Sequence, residues 1–129
     1  MSKITNRQAG ALVRERREFV TGNKTVFAAR AGRFYTVYSY GVHFPMYIHD
    51  HVTSTWIGNR DGYSVTTARH KGQCHPGQVD LWLDTDGMKR LLQAGTAQLS
   101  AARVLVREVF SDYPKVEIDK IVSVMGVQS

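Results

Sequence analysis

The sequence predicts a single α+β domain spanning residues 1–129, with an N-terminal helix, an antiparallel sheet meander, and C-terminal helices packed on the sheet. Three observations carry this. A chain of 129 residues suits one domain with its own core. Apolar residues recur at helical spacing near both ends, as Ala9, Leu12, Val13, Phe19 and Val20 and again as Leu99, Ala102, Val106, Val109 and Phe110. Between them lie "RFYTVYSY" and "VHFPMYIHD", dense in the aromatic and β-branched residues that suit a pleated surface.

The first helix opens on a capping box, with Thr5 at the cap and Gln8 three positions on, and its apolar spacing predicts that it runs to a stop at Thr21-Gly22-Asn23. A sheet over about residues 24–58 follows. "KTVFAAR" predicts a strand, "AGR" a turn, and "RFYTVYSY" a second strand. In "VHFPMYIHD", Val42, Phe44, Met46 and Ile48 alternate with His43, Pro45, Tyr47 and His49, which points the first set at the core. Pro45 lacks a ladder donor and so marks an edge strand or a bulge. "STWIG" is the return strand after a turn at residues 50–53, giving three or four strands. Ser64 or Thr66 then caps a short helix, "QVDLWL" reads as a strand, and Asp84 or Thr85 caps a helix that Gly95 ends. Pro114 breaks the chain, and the tail from Lys115 reads equally as strand or helix. Leu12, Val13, Phe44, Met46, Ile48 and Leu91 are the expected core.

A single cysteine excludes an intrachain disulfide, and no apolar run approaches the roughly 20 residues of a membrane helix. The opening "MSKITNRQAG" lacks the apolar stretch of a signal peptide, so a cytoplasmic protein is expected. Charge is lopsided. Residues 1–33 hold eight basic residues against two acidic ones, while the rest is balanced at nine and nine, so the net +6 sits in the first quarter. A one-sided basic field favours an acidic partner, either nucleic acid or an acidic protein face. Arg14, Arg16, Arg17, Lys24, Arg30 and Arg33 are the candidate contacts, with Tyr47 and Trp56 as aromatic ones.

All five histidines and the cysteine fall between residues 43 and 75. His49, His51, His70, Cys74 and His75 are ligand-type residues for zinc, but no CxxC or HExxH spacing accompanies them. Asp50-His51, Asn59 and His70 run in the order of an HNH-type nuclease, with a short His-to-Asn gap. His51-Val52-Thr53 is half of a two-histidine phosphoesterase motif without its second half, and Cys74 beside His70 and His75 is a thiolate nucleophile in outline only. A structural reading explains more. Asn59, Asp61 and Gly62 form a turn, Ser64, Thr66 and Thr67 start a helix, and His70 hydrogen-bonds back to the strands, stapling helix to sheet. No catalytic residue, metal or cofactor is assigned on this reading.

The pattern Trp56-x-x-Asn59-x-x-x-Tyr63-Ser64-x-Thr66-Thr67-x-x-His70, preceded by "VYSYGVHFPMYIHD", resembles a small domain of unknown function found in proteins of tailed bacteriophages. The resemblance covers roughly residues 34–76 and carries no chemistry. It implies a small phage protein made inside a bacterial host cell, of a kind that binds and inhibits a host protein in host takeover or anti-defence. The expected function is therefore a non-enzymatic inhibitor of a host protein. Nucleic-acid binding through the basic helix and a small metal-dependent nuclease or hydrolase are the alternatives, and a homodimer is admissible.

Overall fold

The computed structural model describes residues 3–62, 64–97 and 106–125. In chain order the elements are β1 (Lys3–Ile4), α1 (Asn6–Arg14), β2 (Phe19–Thr21), β3 (Val26–Ala31), β4 (Phe34–Ser39), β5 (Pro45–Asp50), β6 (Thr55–Asn59), α2 (Val65–Gln73), β7 (Leu81–Leu83), α3 (Thr85–Ala97), α4 (Val106–Val109) and α5 (Lys115–Met125). The fold is the expected α+β domain, with an N-terminal helix, a largely antiparallel meander and C-terminal helices on the sheet. The sheet has seven strands in the order β1 to β7, wider than the predicted 24–58 block. β2 to β6 are antiparallel neighbours, whereas β1 joins β2 and β7 joins β6 in parallel. α1 and α2 are the crossovers that parallel pairing requires.

Thr5 caps α1 through the full capping box. The helix ends at Arg14 rather than at Thr21-Gly22-Asn23. Arg16 takes the left-handed conformation, φ 55°, and the amides of Arg16 and Arg17 bond back to the carbonyls of Val13 and Leu12. That is the Schellman pattern, with arginine in the place usually held by glycine. Phe19 and Val20, counted above toward the helix, pair instead with Ala28 and Phe27.

Helices cover both faces of the sheet. On one face Phe34, Ile48, Ile57, Leu81 and Leu83 meet Met88 and Leu91 of α3, Val106 of α4 and Ile118 and Ile121 of α5. On the other, Phe19, Ala28, Tyr35, Val37, Tyr47 and Trp56 meet Ala9 and Val13 of α1 and Cys74 at the end of α2. Burial on both faces overrides the predicted one-sided alternation. All of β5 is buried, Tyr47 and His49 included, while Val42 lies before the strand and is exposed. Pro45 opens a central strand, not an edge. The ladder shifts between Val37 and Tyr38, leaving Met46 as the extra residue of a bulge, the other predicted role. Of the expected core residues only Leu12 is partly exposed. Asp84 caps α3, which continues through Gly95 to Ala97, and the tail is helical over Lys115–Met125. Leu99 and Ala102 lie outside the described residues.

Candidate functional site

β4, β6 and β7 point the same way, because β4 and β6 are each antiparallel to β5 and β7 is parallel to β6. Their carboxyl ends, Ser39, Asn59 and Leu83, therefore finish at one end of the sheet, and α2 and α3 begin there. This brings the two halves of the sequence pattern together. Asn59 donates to the Pro45 carbonyl at 2.8 Å and to Thr85 Oγ1 at 3.0 Å, and it accepts from the Asp61 amide at 2.8 Å. Ser64 is the cap of α2 and accepts from the Thr67 amide. Ser39 Oγ and His70 Nδ1 share a 2.8 Å hydrogen bond, both side chains being buried, so α2 is stapled to β4. Burial, then the charge of Arg69, lowers the His70 pKa and favours the neutral ring. Asp61 accepts from the Thr85 amide at 2.8 Å, and that bond chiefly holds its pKa low. Lys71 donates to the Asp61 carbonyl and lies 5.5 Å from the Phe44 ring centre. Between these groups is a cavity of about 320 Å³, lined by Ser39, Tyr40, His43, Phe44, Asp61, Gly62 and Thr85. Thr66 is half-buried on α2, and Tyr63 lies outside the described residues.

The ligand-type residues do not form one cluster. His49 and His51 are neighbours, ring centres 4.6 Å apart, at the opposite end of β5 from the cavity. His49 packs on Trp56, and burial, then His51, pushes its pKa down to about 4. Cys74 is buried in the core, and burial pushes its pKa up to about 12, which keeps it a thiol. His75 packs edge-on against Tyr47. Among the described residues no three His, Cys, Asp or Glu side chains are grouped to hold a metal. The nuclease order fails for the same reason: Asp50 and His51 lie at one end of the sheet, Asn59 and His70 at the other. Asp50 is moreover engaged by Arg33, which contacts it at 2.9 and 2.6 Å.

That pair corrects one candidate contact. Arg33 is 8% exposed and belongs to a buried ion pair rather than to a docking surface. Tyr47 and Trp56 are likewise inside, at 2% and 8%, with the Tyr47 hydroxyl donating to the Lys71 carbonyl. Arg14, Arg16, Arg17, Lys24 and Arg30 are exposed, at the end of α1, on the α1–β2 turn, on the β2–β3 turn and on β3. Among the described residues Arg14 and Arg16 donate only to backbone carbonyls, and Arg17 sits 3.7 Å from Glu15. By contrast, Arg60, Arg90 and Arg107 in the second half each pair with a carboxylate.

Ser39, Tyr40 and Thr85 line the cavity without having stood out in the sequence. Ser39 and Tyr40 fall within the quoted pattern, and the adjoining Gly41, φ 101°, marks the sharp turn there. Thr85 signals only a helix start. No helix among the described residues is long and apolar enough to cross a membrane. No protein-family model, curated protein or solved structure matches the chain.

Proposed function

We propose that this chain is a non-catalytic binding protein that docks an acidic surface of a partner protein through Arg14, Arg16, Arg17, Lys24 and Arg30. The observation that carries this reading is the unequal pairing of charge. Among the described residues Arg60, Arg90 and Arg107 of the second half each pair with a carboxylate, whereas of Arg14, Arg16, Arg17, Lys24 and Arg30 only Arg17 does, with Glu15 at 3.7 Å. Unpaired surface charge of one sign steers association with an opposite surface. A protein partner is preferred to nucleic acid because the aromatic candidates Tyr47 and Trp56, and Tyr35 whose hydroxyl donates to the Arg17 carbonyl, are buried and cannot stack on bases beside the basic residues. That the partner belongs to a bacterial host and is inhibited by docking rests on the resemblance to tailed-phage proteins. The test is capture from bacterial lysate with and without nuclease, using wild type and Arg14→Glu/Arg16→Glu/Arg17→Glu. A partner retained after nuclease and lost, or bound far more slowly, in the triple variant supports the reading. Loss of every partner on nuclease treatment transfers the basic surface to nucleic acid, and capture unaffected by the triple change removes the surface from the function.

A further inference from the structure

The cavity at the carboxyl ends of β4, β6 and β7 is lined by none of the exposed basic residues named above and has its own chemistry. At about 320 Å³ it falls within the range of small-ligand pockets. The β4–β5 connection lines it with two aromatic rings, Phe44, which is buried, and Tyr40, which is 51% exposed although it is a large aromatic residue. Its backbone is left-handed, φ 57°, a conformation that a tyrosine keeps only where its surroundings impose it and that recurs at binding sites. The ring lies 5.5 Å from that of His70. Asp61 and Thr85 supply a carboxylate and a hydroxyl to the lining, and Ser39 a second hydroxyl. Because Ser39 shares its hydrogen bond with His70 Nδ1, it can turn either a proton or a lone pair outward, according to the imidazole tautomer. Charge narrows the choice of ligand. A cation would feel the charge of Lys71, which stands behind the lining on the Asp61 carbonyl and the Phe44 ring, and an anion would meet Asp61. A neutral ring that stacks and hydrogen-bonds along one edge meets neither obstacle.

We propose that this cavity binds a neutral, planar nitrogen heterocycle of the nucleobase type, stacked on Tyr40 with its N–H edge toward Asp61 and Ser39. The test is calorimetric titration of the full chain with adenosine, guanosine, cytidine and uridine, and with ribose as a control. At least one nucleoside is expected to bind saturably at one site, and ribose is not. Tyr40→Gly removes the ring and suits the left-handed backbone. Asp61→Asn keeps an acceptor for the Thr85 amide while turning one carboxylate oxygen into a donor. Each is expected to weaken binding by about tenfold, with thermal melts showing both variants folded. Absence of saturable binding by all four nucleosides up to about millimolar concentration overturns the proposal, as does a nucleoside held equally well by both folded variants.

Discussion

Asp50 has no exposed surface and accepts four hydrogen bonds, two from Arg33, one from the Val52 amide and one from Thr53 Oγ1. Removing one member of a buried pair strands the other charge, so Asp50→Ala is expected to lower stability by about 3–5 kcal/mol in urea unfolding. A loss under about 1 kcal/mol in that experiment would mean that water reaches Arg33. His49 makes a pH-dependent counterpart. Its folded pKa, about 4, lies below the ordinary histidine value of about 6.5, so between these values the unfolded chain takes up a proton that the folded chain refuses. Its contribution is complete above about pH 6.5 and falls as pH drops toward about 4. His51 and His70, also lowered by burial, act in the same direction. Melting temperatures across this window should fall less steeply for His49→Gln than for wild type, and equal slopes would exclude His49 as a source. The sequence could not reveal this environment. Alternation along "VHFPMYIHD" reports one buried face and is silent on whether a second layer covers the other, and that layer is what buries Tyr47, His49 and Trp56.

Starts of elements were more legible than their ends. Thr5 and Gln8 announce α1 because side-chain chemistry makes the cap. Its end is set by Arg16 in a conformation that no arginine advertises, so apolar spacing ran on through Phe19 into what is β2. Arg16→Gly is accordingly expected to stabilise the fold by up to about 1 kcal/mol, offset in part by a more flexible unfolded chain, as read from the urea midpoint. A loss of stability would show that the arginine side chain holds the turn. Gly10 gives the opposite expectation from its type. Glycine to alanine inside a helix ordinarily gains about 1 kcal/mol. Here a Cβ would stand 2.6 Å from the Gln73 carbonyl, where α1 meets α2. Gly10→Ala should therefore cost about 1–3 kcal/mol by pushing the helices apart. A gain in the same assay would mean that α2 can shift freely.

At the scale of the molecule, the uneven charge was countable from the sequence, but its consequence was not. Nine acidic residues after residue 33 could equally have lain against the N-terminal cations; instead, among the described residues, the ion pairs join later residues to one another, apart from Arg33–Asp50 and Arg17–Glu15. The surviving field predicts that partner association slows as ionic strength rises, while the dissociation rate changes little. Stopped-flow mixing at two salt concentrations separates the two rates. The cavity was half legible. Its pattern residues were visible as a string, but their convergence depends on β4, β6 and β7 ending together, a property of the whole sheet.

The strands lie side by side in the order in which they are translated. Each new strand from β2 onward finds its neighbour already made, and only the two parallel joins must wait for a helix to loop over. Such a sheet can be laid down progressively as the polypeptide leaves the ribosome, with no late segment threading between earlier ones. The helix start that follows the last strand, β7, completes the cavity wall with Thr85. A nascent chain halted before residue 81 would carry the basic surface already assembled and the pocket still open on one side.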